Sequence, residues 1–304
     1  MDLAVGTATQ RLPPTAPRRA LLLVNRNARR GSAPIDGVIA RLAQRGVETS
    51  IETFATPAEV SDDIVRRREA FDCVIVAGGD GTVSSAARGI RETRLPMGIL
   101  PMGTANDLAR TLAIPEDLAR AADIIAAGRT RRIDVGSVNG HLFFNVASIG
   151  LSADLAHNLC RDTKRRWGRL GYAVAAIGAL ASARPFSTWI TSKDETVRVK
   201  TMQIAVGNGR HYGGGNVVHH VARIDDGHLD LYSLEVRSVW KLALMAPSFR
   251  AGGHGAWKEV RTARCVAFDV ETRRPRSVNA DGEIVTTTPA RFEVHPAAVE
   301  VYVP

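Results

Sequence analysis

Gly78-Gly79-Asp80-Gly81-Thr82 is the segment of this chain whose residue types and spacing are best suited to chemistry. It closes Phe71-Asp72-Cys73-Val74-Ile75-Val76-Ala77, a short apolar run rich in β-branched residues that reads as a buried parallel strand. Beyond it, Thr82 is expected to cap a helix from Val83 to Arg91. Strand, glycine loop and helix together receive phosphate. Glycines let the backbone approach a ligand closely, and the helix start offers free N–H groups to an anion. The Asp80 carboxylate repels phosphate, so it belongs there only with a cation such as Mg²⁺ between the two. A Gly-Gly pair alone reads as a tight turn; three glycines around an aspartate point beyond one.

Holding such a loop takes a sheet. Arg19–Val24 reads as a first strand, opening into the polar and basic Asn25-Arg26-Asn27-Ala28-Arg29-Arg30-Gly31-Ser32. A helix follows from near Pro34, with Ile35, Val38, Ile39 and Leu42 on one face. Glu48–Phe54 reads as a strand, Pro57–Ala70 as a helix, Met97–Leu100 as a strand and Pro115–Ala127 as a helix. This alternation predicts a doubly wound parallel sheet, in which ligands sit at the carboxyl ends of the strands, where the glycine loops fall. After Gly128 short alternating strands dominate: Ile133–Val138, Leu142–Ala147, Thr188–Thr191, Val197–Val206, Leu229–Val236, Val260–Val270 and Ala290–Val303. Helices are expected near Ala153–Leu180 and Val239–Arg250. The division is a flexible tail over 1–18, a nucleotide-binding α/β domain over 19–130 and an antiparallel β-rich domain over 131–304.

A chain of 304 residues supports two such cores, and 45% hydrophobic with 23% charged residues is ordinary for a soluble protein. The net charge of +9 favours an anionic partner, but aromatics at 5% and the absence of a recognised motif exclude nucleic acid. Cys73, Cys160 and Cys265 are odd in number and far apart, which fits a reducing, cytoplasmic setting without disulfides or zinc. Cys73 reads as a buried inert thiol. Met1–Arg18 lacks the apolar core of a signal peptide, and Leu170–Ala183 is too short to span a bilayer. His219-His220 has no third ligand at metal spacing. The basic run Arg161–Arg169 has two readings. It is either a solvated helix start or a surface that docks on anionic lipid at the inner membrane face, with Trp167 at the interface.

Gly78-Gly79-Asp80-Gly81-Thr82 followed by Pro101-Met102-Gly103-Thr104-Ala105-Asn106-Asp107-Leu108-Ala109-Arg110 resembles the diacylglycerol-kinase catalytic domain. More narrowly, the chain is similar to soluble bacterial lipid kinases related to sphingosine and ceramide kinases. The resemblance runs on through Asp134-Val135-Gly136, Phe144-Asn145-Val146-Ala147-Ser148-Ile149-Gly150 and Gly207-Asn208-Gly209-Arg210-His211-Tyr212-Gly213-Gly214-Gly215. It continues in Asp225-Asp226-Gly227-His228-Leu229-Asp230, ends in Asp281-Gly282-Glu283, and covers Arg19 to Pro304. It implies an amino-terminal nucleotide-binding domain, a carboxyl-terminal β-sandwich and a cleft between them where ATP meets lipid. ATP is implied on Asn25, Thr56, Gly78, Gly79, Asp80, Gly81, Thr82, Val83, Ser84 and Thr104. Asp80 and Asp107 would organise Mg²⁺, and Glu283 would accept the lipid proton with Asp281 beside it. A second, structural Mg²⁺ is implied on Asp226 with the carbonyls of Arg223 and His228. Members of the family often pair through the β-rich domain, which leaves the oligomeric state of this chain open, with a homodimer as one reading.

The chain departs from the family pattern at Ser84-Ser85, where Asn or His and then Glu are usual. It also has Asn25-Arg26 in place of Asn-Pro, Glu59-Val60-Ser61 after Thr56 in place of a Gly and an Ala, and His220 where a proline is usual. None of these removes a candidate catalytic carboxylate. NAD kinases share the Gly-Gly-Asp-Gly loop, and a non-catalytic nucleotide- or lipid-binding protein on the same fold is the third reading.

Overall fold

A computed structural model describes residues 16–25, 33–54, 56–151, 153, 184–193, 195–217, 222–236 and 253–304, with the single positions 241, 244, 245 and 248. The basic run Arg161–Arg169, His219-His220, Cys160, the loop residues after Asn25, and most of the amino-terminal tail and of both expected late helices lie outside the described residues.

The first half alternates as its pattern predicts: β1 (Arg19–Val24), α1 (Ala33–Gln44), β2 (Glu48–Thr53), α2 (Pro57–Arg66), β3 (Cys73–Gly78), α3 (Asp80–Thr93), β4 (Met97–Pro101), α4 (Asp107–Thr111) and α5 (Leu118–Ala127). Strands β2, β1, β3 and β4 lie side by side and parallel. The central pair is apolar from Ala20 to Val24 and from Cys73 to Gly78 because both of its faces are covered there, and every residue of β3 is buried. Helix α1 turns Ile35, Val38 and Leu42 into that core. Asp117 starts α5 by accepting the Arg120 N–H, and Gly128 ends it at φ +74°.

Short strands make up most of the second half: β5 (Thr130–Val138), β6 (His141–Phe143), β7 (Val146–Gly150), β8 (Phe186–Ser192), β9 (Glu195–Thr201) and β10 (Gln203–Gly207). They continue through β11 (His211–Tyr212), β12 (Asn216–Val217), β13 (Leu229–Leu234), β14 (Val260–Cys265), β15 (Ala267–Thr272), β16 (Ser277–Ala280), β17 (Glu283–Thr287) and β18 (Ala290–Tyr302). Six of them form an antiparallel sheet in the order β14-β13-β10-β7-β16-β17. It packs on β5, β6, β8, β9, β15 and β18 of the other sheet through Phe143, Ile149, Ile204, Leu231, Phe268, Val278 and Phe292, which are all buried. This is a sandwich core.

The last strand joins the two halves. Antiparallel to β5 and β15 over most of its length, β18 also touches β4 in parallel through Val301 and Met97. One sheet therefore runs from β2 through β4 and β18 to β9. Val299, Val301 and Tyr302 pack into the amino-terminal core, so the end of the chain completes the sheet of the first half.

Three expectations change. Helix α3 starts at Asp80 with Gly79 as its N-cap, not at Val83 behind a Thr82 cap, because the Gly79 carbonyl accepts the N–H groups of Thr82 and Val83. The single strands expected over Val197–Val206 and Val260–Val270 each break in two, at Met202 and Val266. At both points the chain passes from one sheet of the sandwich to the other, and a period-2 pattern continues through such a corner. Pro57–Ala70 divides into α2 and a short 3₁₀ turn, Arg68–Ala70.

Candidate active site

The glycine loops at the ends of β3 and β4 meet backbone to backbone. The Met102 N–H donates to the Gly78 carbonyl at 2.9 Å. A Cβ on Gly103 would stand 2.4 Å from the Gly79 Cα, and one on Gly78 would collide with the Thr82 side chain at 2.5 Å. Only glycine allows this approach. Asn106, left-handed at φ 51°, clamps the second loop by accepting from the Gly103 N–H and donating to its carbonyl. Asn25, at the end of β1, donates from Nδ2 to Thr82 Oγ1 at 3.0 Å. Asn25, Gly78, Gly79, Asp80, Gly81, Thr82, Val83 and Ser84 thus lie at the carboxyl ends of β1 and β3, with Gly78, Thr82 and Val83 buried and the others partly exposed. Thr104 is exposed beside it, and Thr56 is an exposed N-cap of α2 whose side chain makes no capping bond.

Four carboxylates gather at this loop from both halves of the chain. Asp80 Oδ1 accepts from Leu108 N at 3.2 Å and from Asn145 Nδ2 at 3.4 Å. Asp107, buried at the start of α4, accepts the N–H groups of Gly214 and Gly215 at 2.8 and 2.9 Å. Those glycines lie in a run with φ of 58°, 83° and 102° from Gly213 to Gly215, which aims successive N–H groups at one anion. Asp281 and Gly282 form the left-handed two-residue turn between β16 and β17, the geometry an Asp-Gly pair favours. The backbone of Asp281 is at the hairpin tip, yet its carboxylate points inward. It accepts from Phe144 N (2.7 Å), Asn145 N (3.0 Å), Val146 N (3.1 Å) and Ser84 Oγ (2.6 Å). Two residues on, the Glu283 side chain reaches the glycine loop: its Oε1 is 3.8 Å from where a Cβ on Gly81 would stand.

Desolvation raises the pKa of Asp80 above the ordinary carboxylate value, and the charge of Asp107 adds to it. Burial likewise raises Asp107, against its two glycine N–H bonds and the pull of Arg110. Asp281 is raised by burial in spite of its four donors, with Asp80 contributing repulsion. The three carboxyl groups therefore disfavour one another's charge, as they do when a cation belongs among them.

A family model described as the diacylglycerol kinase catalytic domain matches residues 19–138, and one described as a YegS C-terminal NAD kinase beta sandwich-like domain matches residues 145–303. A diacylglycerol kinase of Mycobacterium tuberculosis (strain H37Rv) is 35% identical over 280 residues, 88% of this chain and 89% of the relative. The chain belongs to the diacylglycerol kinase catalytic-domain family. A diacylglycerol kinase of Bacillus subtilis (strain 168) is 30% identical over 260 residues, 84% of this chain and 86% of the relative. A solved structure of a diacylglycerol kinase from Bacillus anthracis str. Sterne shares the fold, at TM-score 0.73 and 21% identity, covering 95% of this chain and 98% of that one. Another solved chain from that organism reaches TM-score 0.80 at 25% identity, covering 95% and 96%.

For a member of this family the cleft residues fit Mg²⁺. The donors are carboxylate oxygens, and Asn145 Oδ1 beside Asp80 is buried with no hydrogen-bond partner among the described residues. No group of three His, Cys, Asp or Glu side chains able to hold a metal by themselves occurs among the described residues.

The Asp226 turn fits a second cation poorly. Asp226 Oδ1 accepts from His228 N at 3.0 Å, and Oδ2 accepts from Arg223 N at 3.1 Å and from the Arg264 guanidinium. Arg264 already supplies the positive charge, so a metal there would have to displace it.

Asn145 and Asp134 stand in the quoted motifs but carried no assigned role. Asp134 is buried and accepts from Gly227 N at 2.6 Å and Ala297 N at 2.7 Å, tying the Asp226 turn to the bulge in β18. The usable signal was a polar residue inside an apolar run, which pattern reading passes over as a strand end.

Proposed function

We propose that this chain is an ATP-dependent lipid kinase that transfers the γ-phosphoryl group to a hydroxyl of a diacylglycerol-like or sphingoid lipid at a membrane surface. The observation that carries this reading is the convergence of Asp80, Asp107, Asp281 and Glu283 on the glycine loop, two from each half of the chain. Phosphoryl transfer needs positioning and charge neutralisation rather than covalent help. The start of α3 presents the positive end of its dipole to the phosphates, and Gly78, Gly79 and Gly81 allow them close to the backbone. Asp80 and Asp107 are the carboxylates that would hold Mg²⁺, which when bound would neutralise the phosphates. Glu283 is exposed to the cleft and takes the proton of the lipid hydroxyl as the bond to phosphorus forms. Asp281 holds the turn that carries Glu283. The relatives' names support a lipid acceptor, as does the Glu283 carboxylate across the cleft from the nucleotide loop.

Purified chain incubated with Mg²⁺ and labelled ATP, and offered in parallel 1,2-dioleoylglycerol in mixed micelles, sphingosine and NAD, tests the reading. Label in a lipid is expected. Label in NAD alone makes the chain an NAD kinase, and nucleotide binding with no transfer makes it a non-catalytic binder.

A further inference from the structure

We propose that Ser84 is a positioning residue for the reaction, latching the Asp281–Glu283 turn of the β-rich half onto helix α3 of the nucleotide half so that Glu283 stands over Gly81. This rests on the lipid-kinase reading and gives Ser84 a partner other than the nucleotide. Ser84 Oγ donates to Asp281 Oδ2 at 2.6 Å, across 197 positions of sequence and from one half of the chain to the other. The remaining acceptor capacity of Asp281 is taken by the N–H groups of Phe144, Asn145 and Val146, so the carboxylate is a four-way tie between α3, the entry to β7 and the hairpin. The hairpin is otherwise secured here by the Asp281 N–H to the Val146 carbonyl at 3.0 Å and the Gly282 N–H to Asn279 Oδ1 at 3.1 Å, both within the β-rich half. Among the described residues, the Ser84 hydroxyl is the hydrogen bond that reaches this turn from the glycine-loop helix. Two residues along, Glu283 lies against Gly81, so a shift of the turn moves the proton acceptor directly. Ser85 does not share the role: its hydroxyl donates to the Thr82 carbonyl within its own helix.

The test compares the parent with Ser84→Ala and Ser84→Thr, measuring turnover of 1,2-dioleoylglycerol in mixed micelles, KM for ATP, melting temperature and amide hydrogen exchange of the full chain. Ser84→Ala is expected to lose turnover about tenfold, the scale of one hydrogen bond to a charged group, with KM for ATP unchanged. Ser84→Thr keeps the hydroxyl and is expected to restore most of it. Exchange over residues 144–146 and 281–284 is expected to quicken in Ser84→Ala and not in Ser84→Thr. A rise in KM for ATP with turnover intact assigns the hydroxyl to the nucleotide and overturns the latch. Parental exchange in Ser84→Ala overturns it as well. A parent that phosphorylates no lipid sinks the functional reading instead, and the exchange experiment still decides whether the two halves are tied through Ser84.

Discussion

Asp80, Asp107 and Asp281 raise one another's pKa and have N–H and hydroxyl donors as hydrogen-bond partners, whereas Asp225, Asp226 and Asp230 each lie against an arginine. At the second site Arg223 and Arg131 flank Asp225, and Arg264 reaches both Asp226 and Asp230. Both clusters sit in tight glycine-containing turns, and both are tied by backbone N–H groups. The difference is who supplies the positive charge. Arginines close the Asp226 turn from within the chain. The cleft has Arg110 as a partial counterweight to Asp107 and otherwise leaves its charge to whatever binds. A run of carboxylates in sequence therefore does not by itself mark a cation site; the cations that fold around it decide.

The sharpest way to break this comparison is at Glu283. Glu283→Gln keeps shape and hydrogen bonding but removes basicity. Turnover is expected to fall by about 10² or more with little change in ATP binding. Near-parental turnover, measured where chemistry limits the rate, would reduce the residue to a shaper of the hairpin. Asp80→Asn comes next: it should weaken Mg²⁺–ATP engagement and turnover together, by roughly tenfold or more. Lipid phosphorylation undiminished in excess chelator would remove the cation from the cleft.

At the other cluster, Arg264→Ala should lower unfolding stability by about 1–2 kcal/mol, a figure held down because the arginine side chain is 38% exposed. Urea unfolding should give the same loss in Mg²⁺ as in chelator. A loss that Mg²⁺ restores would place a cation on Asp226 and make the two sites alike.

The smallest effect expected is on the pH dependence of stability without ligand. Asp80, Asp107 and Asp281 hold their protons more tightly folded than unfolded, so the folded chain binds more protons in the window above about pH 4. Stability should therefore decline as pH rises through that window toward the raised values, and Mg²⁺–ATP should flatten the decline. Unfolding curves taken at intervals across this range check it, and a rising trend unaffected by nucleotide would contradict it.

Much was legible in the residues themselves. The strand, glycine loop and helix around Asp80, the parallel sheet of the first half and the Asp281-Gly282 turn are local features, set by β-branched runs, glycines and turn pairs within a few residues of one another. Helix caps were less so: Thr82 has the right chemistry for an N-cap, yet the Gly79 carbonyl starts α3 three residues earlier. The corners at Met202 and Val266 were invisible because alternation continues while the chain changes sheets.

What the chain's order of residues determined is the nature of the groups: a glycine loop after a buried strand, several carboxylates and a glutamate after an Asp-Gly turn. Only tertiary structure decided which carboxylates share a site, because that depends on contacts between residues far apart in the chain. Ser84 meets Asp281 across 197 positions, Asp107 meets the Gly213–Gly215 run across more than a hundred, and Val301 in the last strand closes the sheet begun at Arg19. It also decided that Arg264, distant in sequence and unremarked in any motif, stands where a second metal was expected. Side-chain type is written residue by residue, but charge compensation is a property of neighbours in space.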